Sequence, residues 1–278
     1  MNIQSADAIR IVIIGQSNQQ DSKYGTIPNE YKGLQSNVDG LGHKIYIKSL
    51  DTGGSAYQIA NTGVNTGNPV KGMALEIPLG HLLCKYYNKD IYIEKLATGG
   101  RPVAKWTDSS EGTDINVDYP YWDFSPESTG EFFDLLISNL TISNAYFDAN
   151  NIKIIDLGVD FNQGERDASG ENSERRLHYA NNVKKLKDGI FPHLRNNGKK
   201  LWIQTQLNAN LTMTNELFPY IYRDDIREQQ LLFSKSDKDV RLYDMTQHTL
   251  GADLIHYDVS KFITMASDKF NLYFKHRK

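Results

Sequence analysis

Along this chain, short apolar runs alternate with segments whose apolar residues recur at helical spacing, and that alternation constrains the fold more than any other feature. Ile9 to Ile14 reads as a buried strand, and Lys44 to Ser49 (KIYIKS) as a second with period-two alternation. Pro78 suits the first turn of a helix whose face is Leu79, Leu82, Leu83 and Tyr86. Ile91 to Ala97 returns as strand, and Phe132, Phe133, Leu136, Ile137 and Leu140 mark the next helix. Ile152 to Phe161 is a near-continuous apolar run, the pattern of a strand covered on both sides. A helix follows along Leu177, Ala180, Val183, Leu186 and Ile190, with Ser173 as its expected N-cap. Then come a strand over Leu201 to Leu207, a helix around Asn215 to Ser234 and a last helix from about Val259 to Phe270. Such alternation specifies an α/β fold, a mostly parallel central sheet with helices on both faces. No Pro/Ser linker, internal repeat or low-complexity tract divides the chain, so residues 1–278 are expected to form one domain. Residues 50–72 and 101–126 stand outside the pattern, and loops of that length in a compact domain are usually functional or disordered.

Composition narrows the function classes. With 278 residues, 39% apolar and 23% charged, the chain can bury a sizeable core. A net charge of −3 without a long basic run argues against a nucleic-acid partner, and the final Lys275, His276, Arg277 and Lys278 read as a solvated end. Cys84 is the single cysteine, which excludes an internal disulfide and a cysteine-based zinc cluster; among Leu82, Leu83 and Tyr86 it reads as a core residue. No stretch of about 18 apolar residues is present, so no membrane span is expected. The first ten residues lack the basic-then-apolar pattern of a secretory signal, which makes a cytoplasmic protein, or a component of an oligomer or larger particle, the expectation.

Ligands of parallel α/β sheets bind outside the carboxyl ends of the strands. Four such ends carry polar clusters here: Gln16-Ser17-Asn18, Thr98-Gly99-Gly100, Asn162 to Asp167 (NQGERD), and Asp253-Leu254-Ile255-His256 before the final helix. An aspartate three residues before a histidine can hold the imidazole Nδ1 and leave Nε2 to take a proton from a hydroxyl, so Ser17, Asp253 and His256 supply the parts of a nucleophilic relay. Acyl transfer also needs donors for an oxyanion. Backbone N–H groups of Ser17 and of Gly99 or Gly100, and the side-chain amide of Gln163, can offer them. Each signal alone has a plain structural reading: a turn serine, surface polarity, a tight glycine turn. Their placement at four strand ends is what singles them out.

Gly15-Gln16-Ser17-Asn18, Ala97-Thr98-Gly99-Gly100 with Trp106 beyond, Gln163-Gly164-Glu165-Arg166-Asp167-Ala168 and Asp253-Leu254-Ile255-His256-Tyr257 resemble, in order, the blocks of the SGNH-hydrolase superfamily. The nearest branch by pattern is the sialate O-acetylesterase and acetylxylan-esterase group, and the resemblance spans residues 11–258. It implies a three-layer α/β/α flavodoxin-like sandwich. It also implies Ser17 as nucleophile, His256 as general base and acid, Asp253 as its orienting partner, and Gly99 or Gly100 with Gln163 in the oxyanion hole. Neither metal nor cofactor is required. Glu165 is expected to stand behind the Gln163 turn, and Gln16, Asn18, Arg101 and Trp106 to meet substrate.

Two positions depart from the family pattern: Arg101 and Arg166 stand where the group usually carries Thr or Ser. They either pair with Glu165, Asp167 or Asp108, or meet an anionic glycan. Trp106, Tyr119, Tyr121, Trp122 and Phe124 either pack the 101–126 loop down or stack on sugar faces. His43, His81, His178, His193 and His248 lack metal-ligand spacing and read as surface or packing residues. The expected substrate is an O-acetylated carbohydrate. The alternatives are a lipase or thioesterase of the same superfamily and a non-catalytic glycan-binding or structural component.

Overall fold

The computed structural model describes residues 3–20, 25–50, 56–62, 64–66, 73–103, 122, 130–169, 173–195, 199–211 and 220–277. The strands are β1 (Ala8–Gly15), β2 (Ile45–Ser49), β3 (Gln58–Ile59), β4 (Asp90–Ala97), β5 (Ile154–Asn162), β6 (Leu201–Gln206) and β7 (Val240–Asp244). They form one sheet in the order β3-β2-β4-β1-β5-β6-β7, parallel throughout except for the β2–β3 pair. The helices are α1 (Ser17–Gln20), α2 (Glu76–Tyr87), α3 (Glu131–Ala149), α4 (Glu165–Ala168), α5 (Ser173–Ile190), α6 (Arg223–Ser236) and α7 (Val259–Arg277). Every strand and helix expected from the sequence is present. The helix foreseen around 215–234 starts at Arg223, and the last helix runs on to Arg277. β3 and β7 are additional; two residues give no readable period, and in β7 (VRLYD) Arg241 and Asp244 break up the apolar run.

Two cores sandwich the sheet. Ile9, Ile11 and Ile13 of β1 meet α2 and α7 on one face, with Leu83, Phe262 and Met265 buried there. Val12 and Ile14 face the other way, against Leu136 and Leu140 of α3, Val183 and Leu186 of α5, and Phe233 of α6. This is the three-layer α/β/α arrangement, with a mostly parallel central sheet. Cys84 lies in the first core, where burial pushes its thiol up to about 12.

The apolar appearance of β5 conceals two fully buried carboxylates, Asp156 and Asp160. Four residues apart in a regular strand, they would share a face. The pairing of β1 with β5 slips between Arg10 and Val12, so β5 carries extra length near Gly158 and its alternation reverses. Asp156 therefore faces α3 and forms a two-pronged pair with Arg10 (2.6 and 2.8 Å), whose guanidinium also donates to Asn144 at 3.0 Å. Asp160 faces α7 and accepts from Lys269 at 2.8 Å. Burial lowers the Arg10 pKa, but the charge and hydrogen bonds of Asp156 more than reverse this and leave it raised. Lys95–Glu76 (3.1 Å) and Lys48–Glu94 (3.6 Å) are two further buried pairs on the central strands.

Removing one member of such a pair strands the other in a dry interior, which typically costs about 3–5 kcal/mol, whereas replacing both with apolar residues costs far less. Asp156→Ala is therefore expected to lower the unfolding free energy by about 3–5 kcal/mol, and the joint Arg10→Met, Asp156→Leu variant by distinctly less. Urea titration followed by circular dichroism measures both; equal losses would show that pairing is not what matters at this position.

Candidate active site

The site is assembled at the carboxyl ends of β1, β4 and β5, plus the loop before α7. β1 ends at Gly15, and α1 begins at Ser17. The last residue of β1 is locked on both sides: Gln16 N–H donates to Asn162 O (2.9 Å) and Thr98 N–H donates to Gly15 O (3.1 Å). Ser17 is thereby presented at the rim of the sheet beside the Gly99–Gly100 turn. A β-carbon at Gly99 would stand 3.4 Å from that of Ser17. Gly100 is held at φ +70°, a left-handed conformation that favours glycine.

His256 Nε2 lies 2.8 Å from Ser17 Oγ, and His256 Nδ1 lies 2.6 Å from Asp253 Oδ2. A carboxylate at Nδ1 makes that nitrogen the donor, so Nε2 is the acceptor for the serine hydroxyl. The other oxygen, Asp253 Oδ1, accepts the backbone N–H groups of Ile255 (3.0 Å) and His256 (2.9 Å). One carboxylate therefore both shapes the loop and orients the ring. Leu254, between them, adopts φ +56°, a conformation that costs a non-glycine residue about 1 kcal/mol or more.

A cavity of about 400 Å³ opens over this line of groups, and its walls include Gln16, Ser17, Gly99, Gly100, Arg101, Glu165, Arg166 and His256. Three further wall residues, Ser169, Tyr220 and Ile255, were not foreseen. Ser169 and Tyr220 sit in unpatterned connections, and only Ile255, inside the Asp-x-x-His block, had a sequence cue. Burial first, then the nearby charges of Glu165 and Asp253, push the Tyr220 phenol up to about 12.

Several expected substrate contacts have other partners. Asn18 is buried; its amide donates to Glu165 Oε1 (2.9 Å) and to Ile255 O (3.1 Å), tying α1 to the histidine loop. Gln16 reaches the cavity, but its Oε1 accepts from Gly164 N–H and Arg166 N–H at the start of α4. The side chain of Gln163 is a correction: it is fully buried, and its amide donates to Arg101 O (3.0 Å) and Asp167 Oδ2 instead of facing the cavity. Trp122 is also a correction to the sugar-stacking reading, because it is fully buried against Phe132 and Phe161. Trp106, Asp108, Tyr119, Tyr121 and Phe124 lie outside the described residues. Arg101 and Arg166 both line the cavity. Among the histidines, His81 is bonded to Gln35 and His248 to Tyr243 in the interior. Among the described residues no cluster of histidine, cysteine and carboxylate side chains is arranged to hold a metal ion, and no helix is long and apolar enough to cross a membrane.

No family model and no curated protein matches the sequence. Solved structures do. A protein from Arabidopsis thaliana superposes with a TM-score of 0.65 at 16% identity, over 97% of this chain and 98% of that one. The protein NanS gives 0.59 at 13% identity, over 98% of both chains. A carbohydrate acetylesterase from Xanthomonas citri gives 0.53 at 14% identity, over 96% of this chain and 55% of its own. The fold is shared with an esterase. At these identities the likeness extends to the fold, and the chemistry must be argued from the site.

Two carboxyl groups at the site respond to pH in opposite directions. Burial raises the Asp253 pKa, but the hydrogen bonds from His256 and Ile255 outweigh it and hold the group at about 2. A depressed folded-state pKa adds stability above the ordinary carboxyl range that is lost as pH falls towards that value. The loss of stability between about pH 4 and pH 2 should therefore be shallower in Asp253→Asn than in the wild type, measured by thermal melts across that window. Burial raises Glu165, which the Asn18 hydrogen bond only partly offsets. The ionised form thus costs stability above its folded-state pKa, and the cost disappears on protonation. Glu165→Gln keeps an oxygen for Asn18 and removes the charge. It should melt above the wild type at pH 7, with the difference closing by about pH 4; a constant difference would assign the gain to something other than ionisation.

Proposed function

We propose that this chain is a serine carboxylic-ester hydrolase of the SGNH type that removes O-acetyl groups from a carbohydrate. The observation that carries the reading is the continuous line Asp253–His256–Ser17, with contacts of 2.6 and 2.8 Å, opening into a cavity. In the acylation step His256 Nε2 takes the Ser17 proton as Oγ attacks the ester carbonyl. The carbonyl oxygen becomes an oxyanion, received by the N–H groups of Ser17 and of Gly99 or Gly100. Collapse of the tetrahedral adduct breaks the ester C–O bond, and His256 returns its proton to the departing sugar alkoxide. The acetyl-enzyme is then hydrolysed: His256 takes a proton from water, the hydroxide adds to the acetyl carbon, and Ser17 Oγ leaves with the proton. Asp253 stays ionised throughout and stabilises the imidazolium formed in each half-reaction.

The walls support a small acyl group on a polar alcohol. Arg101, Arg166, Ser169 and Tyr220 add polar side chains to the walls of the cavity that holds Ser17, as a polar alcohol group would use. The shared fold with a carbohydrate acetylesterase agrees with that class.

Ser17→Ala is expected to lower turnover of a chromogenic acetate ester by well over ~100-fold while leaving the melting temperature near that of the wild type. An alkyl fluorophosphonate should add one covalent mass to the wild type, at Ser17, and none to the variant. A wild type that hydrolyses neither small acetate esters nor acetylated sugars would leave the non-catalytic glycan-binding reading in place.

A further inference from the structure

The glycines that face Ser17 sit on a segment that leaves β4 without regular structure, yet an oxyanion donor must hold its direction closely. After Gly100 the segment is tied down by buried side chains of the β5–α4 turn. Gln163 Nε2 donates to the carbonyl of Arg101 at 3.0 Å, and its second hydrogen goes to Asp167 Oδ2. The same Asp167 oxygen accepts Val103 N–H at 3.1 Å. Both partners of the Gln163 amide nitrogen are acceptors, which fixes the amide orientation and uses both hydrogens. The remaining side-chain atom, Oε1, is buried without a hydrogen-bond partner, and an acceptor cannot stabilise an oxyanion. Gln163 itself cannot easily turn: its own carbonyl accepts from Tyr179 Oη (2.7 Å) and Gln230 Nε2 (3.0 Å).

We propose that Gln163 and Asp167 form a latch that sets the Gly99–Val103 segment, so that the oxyanion is received by backbone N–H groups alone and Gln163 is a positioning residue. The proposal rests on Ser17 being the nucleophile. The latch also joins two walls of the cavity, because Arg101 follows Gly100 on one side while Arg166 flanks Asp167 on the other. Losing one oxyanion donor typically lowers kcat by ~10²–10³-fold, and a displacement of about 1 Å has a similar reach. A latch therefore acts on kcat without touching substrate.

The test compares Gln163→Met, which conserves volume and deletes both donors, with Asp167→Ala, Asp167→Asn and the double Gln163→Met, Asp167→Ala. Steady-state kinetics on a chromogenic acetate ester are read together with the affinity of methylboronic acid, whose tetrahedral serine adduct places an oxygen where the oxyanion forms. The latch predicts that Gln163→Met and Asp167→Ala each lower kcat by ~10–100-fold with KM within about threefold, and weaken the boronate in proportion. The double variant should be no worse than the worse single, and Asp167→Asn should recover most of the loss, since one amide oxygen can accept both N–H groups. Independently of activity, hydrogen exchange at residues 99–103 should quicken in Gln163→Met, a readout that keeps the proposal testable if Asp167→Ala does not fold. A large kcat loss in Gln163→Met with Asp167→Ala within threefold of wild type, multiplying losses in the double variant, or unchanged exchange at 99–103 in Gln163→Met would overturn the latch and make Gln163 a direct donor. An inactive wild type would instead strike at the esterase reading and leave the exchange result standing.

Discussion

Everything at the active end depends on how closely three strands approach at Gly15. This residue pairs with Ala97 of β4 on one side and Asn162 of β5 on the other. Its φ is +151°, and a β-carbon there would lie 2.1 Å from the Asn162 carbonyl, so no other residue fits without moving β5. Because the three strands end in register, the residues that follow them emerge at one level. Ser17, the Gly99–Gly100 turn and the Gln163–Asp167 turn meet for that reason, although they are far apart in the chain. The parallel sheet supplies the convergence, and the glycine permits it at van der Waals distance.

A sheet covered on both faces would ordinarily be apolar through its middle, and this one carries at least four buried ion pairs there. Two of them depend on the β5 bulge, which turns Asp156 towards Arg10 and Asp160 towards Lys269. Burial lowers the Lys269 pKa and raises that of Glu76, and in each case the partner's charge opposes the shift. Such pairs are weak contributors to net stability but strict about geometry, since each ion finds compensation in only one register. A slip of β5 by one residue would strand both aspartates. The pairs therefore act on the same register that brings Gly15 and Asn162 together at the site.

The alternation of elements was legible because the isoleucine-rich strands and the spaced leucines of the helices are strongly periodic. The hydrogen-bonded line of Ser17, His256 and Asp253 was legible because its three groups lie in two compact blocks, each at a predictable strand end or helix start. Other features had no local signal. β5 reads as apolar because two aspartates among eight other residues do not break a hydrophobic run, and the bulge that separates them is a property of pairing with β1. Gln163 looked like an oxyanion donor because its position in the block is right; its rotamer is decided by Asp167, four residues on, and by the Arg101 carbonyl on another strand's loop. Trp122 was open to both readings, loop packing and sugar stacking, because an aromatic in a loop has no period, and only the neighbouring Phe132 and Phe161 reveal it as core.

The Ser17–His256 contact spans 239 residues of sequence, so something must fix the distance between the two elements that bear it. Asn18 does so directly. One amide hydrogen goes to Ile255 O, next to the histidine, and the other to Glu165 Oε1 on α4. A neutral acceptor could receive that second hydrogen, yet the chain keeps a buried carboxylate whose pKa is raised by its surroundings. In its ionised form that carboxylate makes the stronger bond, about twice that of a neutral pair, and then holds the asparagine, and through it the histidine loop, more firmly. Leu254 in the left-handed region is the corresponding strain on the loop side, held in place by the Asp253 hydrogen bonds to Ile255 and His256. Stability is thus lost at two positions flanking the contact, and both losses sharpen the same distance, the pattern of a fold that positions these two side chains and does not merely enclose them.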